Sequence, residues 1–173
     1  MNEKTLKEEI IYKGKILNLK KVDVLLDTGV ESVREIVEHK GAVAIVVFKE
    51  NKFLFVKQYR KAFDEILTEI PAGKLEEGEN PYDCALRELE EETGYIAEDM
   101  ELMQIIYPTP GFCTEKIYLY NASKIKKGNV RFDVDEDLTS EWIEKKEVIR
   151  MVSNGDIKDG KTIIGVVLYT LLL

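Results

Sequence analysis

Histidine occurs once, cysteine twice and proline four times among the 173 residues. Cys84 and Cys113 are too few for a disulfide framework, and neither has a Cys or His neighbour at metal-binding spacing, so a reducing cytoplasm is the expected compartment. Basic residues are in deficit, 25 Lys and Arg against 33 Asp and Glu, a formal charge of −8. The counterion-release affinity that a basic surface gains on a phosphate backbone is therefore absent, and no nucleic-acid partner is expected. No apolar run approaches the roughly 20 residues that cross a bilayer. The longest, 42–48 and 163–173, are core-sized, so no membrane partner is expected. The opening MNEKTLKEE has charges but no apolar stretch after them, and nothing in it directs secretion. There is no internal repeat and no low-complexity segment. What remains is a hydrophobic fraction of 45%, enough for an ordinary globular core.

The first forty residues alternate apolar and polar positions: Ile10 and Tyr12, Leu17 and Leu19, Val22, Val24 and Leu26, then Val33 and Val37 after an Asp27-Thr28-Gly29 turn. Period two with an Asx/Gly turn predicts two or three antiparallel strands, too thin to be stable without a partner surface. The β-branched run 41–48 suits a strand buried on both faces. Further strands are expected over 53–59, 65–70, 100–107 and 116–122 and ending near Trp142, with Pro71-Ala72-Gly73 stopping the third of the series. A helix should start at Pro81, N-capped by Asn80, and end at Gly94. A last helix is expected to split around Asn154-Gly155. The mixture of strands and helices indicates α+β or mixed α/β, with residues 1–40 as an N-terminal β subdomain and 41–173 as the main domain. Trp142 and Phe132 are expected in packing, His39 at a strand end, and Cys84 at a helix surface or half-buried.

At about 100° per residue, Tyr82, Ala85, Leu86 and Leu89 form the core stripe of the helix from Pro81. Glu88, Glu91 and Glu92 then share one flank over about a turn. Like charges at these spacings oppose each other by a few tenths of a kcal/mol per pair, and the last turn is where the helix dipole favours cations. Arg87 can relieve Glu90 or Glu91 but cannot neutralise all four acids; a hard divalent cation would. Oxygen ligands without His or Cys select Mg2+, then Mn2+, over zinc. The competing reading is a solvated glutamate-rich face.

The surroundings distinguish the two. Gly73, then Glu79 after five intervening residues, and Arg87-Glu88-Leu89-Glu90-Glu91-Glu92-Thr93-Gly94-Tyr95 after seven more match the fixed positions of the Nudix box, so residues 73–95 resemble the signature of Nudix hydrolases. The resemblance implies a Nudix α/β/α sandwich with a mixed sheet, preceded by the N-terminal antiparallel β subdomain. It implies metal ligation by Glu88, Glu91, Glu92 and the carbonyl of Ala72, and structural roles for Gly73, Glu79, Arg87 and Gly94. Pro108-Thr109-Pro110-Gly111-Phe112-Cys113-Thr114-Glu115 resembles the loop of the family's ADP-ribose pyrophosphatase branch, making Glu115 a catalytic residue alongside Glu91, and Gly111 a substrate contact. Val33-Arg34-Glu35 and Gln58-Tyr59-Arg60 resemble that branch's substrate-holding segments, which assigns Arg34, Glu35 and Arg60, while Tyr12 resembles an adenine-stacking position.

Each assignment has a plainer counterpart. Arg34 and Glu35 are also suited to a cross-strand ion pair, Arg60 to plain surface, and Tyr12 to packing. The resemblance implies Mg2+-dependent hydrolysis of ADP-ribose to AMP and ribose 5-phosphate by a homodimer. The alternatives left open are another nucleoside diphosphate sugar such as GDP-mannose, an oxidised nucleotide, or a non-catalytic ADP-ribose sensor.

Overall fold

A computed structural model describes residues 2–128 and 138–172; Phe132 lies outside them. The chain forms two compact units. The first comprises the residues up to Gly41 together with Tyr107–Lys116, and the second comprises Ala42–Ile106 and the chain from Ile117 onward.

In the first unit, strands β1 (Glu3–Lys13), β2 (Leu17–Leu26) and β3 (Glu31–His39) form an antiparallel sheet in the order β1-β2-β3, as the alternation predicts. Gly29 turns the chain between β2 and β3 at φ 82°, a conformation that costs glycine least. Val22 and Val24 are buried, but Ile10, Ile11, Tyr12, Ile16 and Val33 are exposed. The segment Tyr107–Lys116 is tethered to β3: Val37 N–H donates to the Phe112 carbonyl (2.7 Å), Thr114 N–H to the Val37 carbonyl (2.9 Å), and His39 N–H to Thr114 Oγ1 (3.0 Å).

The second unit is built on a mixed sheet. Its strands are β4 (Ala42–Lys49), β5 (Lys52–Arg60), β6 (Glu65–Glu69), β7 (Ala72–Lys74), β8 (Tyr95–Ile106), β9 (Ile117–Lys127) and β10 (Leu138–Glu144). The main path runs β10-β5-β4-β9-β8, with β6 on β5 and β7 on β4; β4 and β9 are parallel and the other pairs antiparallel. Helices α1 (Pro81–Thr93), α2 (Lys145–Asn154) and α3 (Gly160–Leu172) complete it. Strand β4 shows why its sequence is unbroken apolar. Val43, Ile45 and Val47 pack in one cluster with Ala85 and Leu89 of α1, while Ala44 and Val46 pack in a second with Val148 of α2 and Val166 of α3. A strand covered on both faces has no polar side to alternate with, and the result is the expected α/β/α sandwich. No helix among the described residues is long and apolar enough to cross a membrane.

Two elements differ from expectation. Strand β8 begins at Tyr95, directly after the helix, because Tyr95–Asp99 pair with Lys124–Lys127. Tyr95 and Ala97 pack against the core cluster, but two alternate side chains followed by Glu98 and Asp99 are too short a pattern to announce a strand. Strand β7 follows Pro71 at once: Ala72, Gly73 and Lys74 pair with Ala44, Val43 and Ala42. Its three residues carry no pattern of their own; their conformation is imposed by β4.

Candidate active site

Helix α1 has well-defined ends. Asn80 Oδ1 accepts the Tyr82 N–H (2.9 Å), Pro81 occupies the first turn, and Gly94, at φ 70°, donates its N–H to the Glu90 carbonyl (2.8 Å). The buried stripe is rotated from the expected one. Cys84, Ala85 and Leu89 are fully buried, whereas Tyr82 is 42% exposed and leans edge-on against Tyr120. Cys84 is thus a core thiol; burial, the dominant cause, pushes its pKa well above the usual range. With Cys84 turned onto the sheet, Glu88 and Glu92 turn inward as well, 8% and 3% exposed.

Two carboxylates buried one turn apart are costly unless they are paired or bonded. Glu92 Oε2 accepts the N–H of Ala72 (2.9 Å). The Glu88 carboxylate lies so close to Gly73 that a Cβ there would overlap it. Strand β7 therefore brings the Ala72–Gly73 backbone onto the acidic face of α1. Arg87 is the hub beside it. Its Nε and Nη2 donate to the two Glu79 oxygens (2.9 and 3.0 Å), and its Nη1 donates to Glu88 (2.8 Å) and Glu91 (2.9 Å). Arg87 thereby bridges the loop before α1 to the helix, with Glu91 rather than Glu90 as its acidic partner one turn on. The Arg87 hydrogen bonds hold the Glu79 carboxyl down from 4.5 to about 2.

Three carboxylates, Glu79, Glu88 and Glu91, thus meet one guanidinium while a fourth, Glu92, is held by a backbone N–H, leaving excess negative charge on oxygen donors beside the Ala72–Gly73 backbone. That donor set fits a hard divalent cation. The glycine cradle, which no other residue could form without displacing Glu88, keeps those oxygens against the chain. Among the described residues no three acidic, imidazole or thiol side chains are already closed into a cation cage; Arg87 and the Ala72 N–H hold the acids instead.

Arg60, at the end of β5, shares this unit. Its pKa is raised chiefly by its hydrogen bonds to Glu69, with the charges of Asp159 and Glu92 contributing, so it faces the same acidic surroundings. The remaining assigned residues belong to the first unit. Arg34 donates Nε and Nη2 to Glu3 (3.1 and 2.5 Å), so its ion-pair partner is Glu3 and not Glu35. Glu35 and Tyr12 are exposed on their strands and Gly111 is exposed in the tethered segment. Glu115 Oε1 lies 3.7 Å from His39 Nδ1, which itself accepts the Gly41 N–H (3.1 Å); His39 ends β3 as expected. Trp142 packs edge-on to Tyr95 and donates to its hydroxyl (3.2 Å). Sequence reasoning missed Glu69, Asp159, Lys161 and Thr162. A lone Glu between Thr68 and Ile70 reads as an ordinary strand residue, and only the approach of α3 reveals it.

A mixed-sheet sandwich that sets an acidic helix face against a glycine-bearing strand belongs to a recognisable class. Residues 38–163 match the NUDIX domain. The chain belongs to the NUDIX family. It is 46% identical to a methanol dehydrogenase activator of Bacillus methanolicus, over 95% of this chain and 90% of that one. It is 42% identical to an ADP-ribose pyrophosphatase of Bacillus subtilis (strain 168), over 94% of this chain and 89% of that one. A solved structure described as an ADP compounds hydrolase superposes with a TM-score of 0.87 at 20% identity, covering 99% of this chain and 94% of the other, and shares the fold.

Proposed function

We propose that this NUDIX-family chain is a nucleoside diphosphate-sugar pyrophosphatase that hydrolyses ADP-ribose to AMP and ribose 5-phosphate with Mg2+, or with Mn2+ in its place. The observation that carries this reading is the burial of Glu88 and Glu92 against Ala72 and Gly73. The relative named ADP-ribose pyrophosphatase, aligned over almost the whole chain, supports the substrate.

The carbonyl of Ala72 with Glu88, Glu91 and Glu92 would hold the cation. When bound, it supplies charge cancellation on the diphosphate and a lowered pKa for the attacking water. The chain's own residues supply the rest. Arg60 presents a guanidinium to the non-bridging oxygens, where a planar cation binds phosphate well. Glu79 and Arg87 fix the loop to α1, so that Glu91 and its neighbours stay oriented. Glu115 orients or deprotonates the attacking water, an assignment that rests on its match to the ADP-ribose loop. Arg34, Glu35, Gly111 and Tyr12 are assigned substrate contacts on the same ground. The functional form is a homodimer, supported by the exposed apolar side chains of β1–β3.

A substrate panel tests this. Purified protein with Mg2+ is offered ADP-ribose, other ADP-sugars, GDP-mannose and an oxidised nucleotide, and phosphate is measured after phosphatase treatment. ADP-ribose should give the highest kcat/KM, with AMP and ribose 5-phosphate as products. A preference for GDP-mannose would reassign the substrate, and no turnover on any member would reject the hydrolase reading. In that last case the relative named as an enzyme activator would favour a second reading, regulation of a partner enzyme without turnover.

A further inference from the structure

Behind Arg60 lies a buried polar network that joins the C-terminal helix to the strand leading into the site. Glu69, the last residue of β6, is 1% exposed. Both its oxygens are bound by Arg60, through Nε (2.6 Å) and Nη2 (2.7 Å), and Lys161 of α3 reaches Oε2 of the same carboxylate. Burial alone would raise the Glu69 pKa; the two cations outweigh it and hold the group ionised. Next along the chain, the N–H of Ile70 donates to Thr162 Oγ1 (2.9 Å), and that hydroxyl donates to Asp159 Oδ2 (2.6 Å). Asp159 also accepts the Thr162 N–H (3.0 Å) and Lys161 Nζ (3.1 Å), which fixes the first turn of α3.

A carboxylate this deeply buried adds little net stability compared with an apolar residue, so its value lies in the orientation it imposes. An unrestrained arginine side chain has many rotamers to lose on binding. The bidentate grip on Nε and Nη2 removes that freedom in advance and leaves Nη1 as the nitrogen not bound to Glu69. We propose that Glu69, clamped by Lys161, is a positioning residue for Arg60. It aims the guanidinium at the substrate diphosphate, so that the C-terminal helix is part of the binding apparatus. This rests on the reading of Arg60 as a diphosphate contact.

The test is a double-mutant cycle on kcat and KM for whichever nucleoside diphosphate sugar the intact enzyme turns over, with thermal melting as the check on folding. Glu69→Asp keeps a charge for Lys161 but withdraws the carboxylate by one methylene, so it is preferred to Glu69→Gln, which leaves two cations without an anion. Arg60→Ala should raise KM about tenfold or more, the loss expected for a charge-assisted hydrogen bond, with kcat within about threefold. Glu69→Asp should reproduce most of that rise, and adding it to Arg60→Ala should change KM by less than about twofold. A Glu69→Asp effect that multiplies fully onto Arg60→Ala, or that lowers only melting temperature or kcat, would overturn the positioning role while sparing the Arg60 contact. A wild-type KM for Arg60→Ala would overturn both.

Discussion

At Gly73 a side chain has no room, because its Cβ would overlap the carboxylate of Glu88. The cost falls on the site rather than on the turn, since Gly73 lies in a paired strand where any residue could take the backbone angles. Gly73→Ala should therefore displace Glu88, lowering stability by roughly 1–3 kcal/mol as other overpacked sites do and turnover by on the order of 100-fold through misplacement. A denaturant melt and a kcat measurement on the same preparation check both. The same neighbourhood sets a pH dependence. Arg87 holds Glu79 down to about 2, against 4.5 when unperturbed. A depressed carboxylate pKa gives stability that is fully present above about pH 4.5 and is lost as pH falls toward 2. Glu79→Gln should therefore be less stable than the natural chain at neutral pH, by roughly 1–2 kcal/mol, and the gap should close on acidification. Urea midpoints between pH 7 and pH 3 that run parallel for the two proteins would contradict the Glu79–Arg87 bridge.

Among the elements, α1 was the most legible in advance because its boundaries are chemical: an asparagine cap, a proline in the first turn and a glycine that takes φ 70°. Its stripe was less legible. Helical spacing alone makes Tyr82 and Cys84 exchangeable candidates, and the choice belongs to the sheet, which takes the smaller residue and thereby turns Glu88 and Glu92 inward. The unbroken run of β4 announced a strand covered on both faces, while β7 had no signal because β4 dictates it. The Glu69–Lys161 clamp was illegible for a similar reason: its members are 92 residues apart in sequence. The segment bearing Glu115 was readable from Pro108, Pro110 and Gly111, and the structure adds its pairing with β3. Glu115→Gln should lower kcat by about 10² to 10⁴ as loss of a general base does, with KM changed little. Equal losses in affinity and turnover would instead mark Glu115 as a binding residue.

For the whole molecule, the first-unit sheet leaves Leu6, Ile10, Ile11, Tyr12, Ile16 and Val33 exposed, more apolar surface than a thin three-stranded sheet normally leaves in water. A second copy would cover it. Light scattering should give twice the 19.9 kDa chain mass, and Ile10→Lys with Val33→Lys should return the protein to the monomer mass. A monomeric natural chain at micromolar concentration would reject the dimer. The acidic face of α1 poses the larger question, whether its buried carboxylates exist to bind a cation that grips a diphosphate. The most direct answer is anomalous diffraction from crystals grown with Mn2+ and an uncleavable ADP-ribose analogue. A manganese peak should lie within about 2.0–2.4 Å of oxygens from Glu88, Glu92 and the Ala72 carbonyl, with the analogue's diphosphate on its far side. Density that leaves those oxygens bonded only to Arg87 and the Ala72 N–H, with the analogue bound elsewhere, would contradict it.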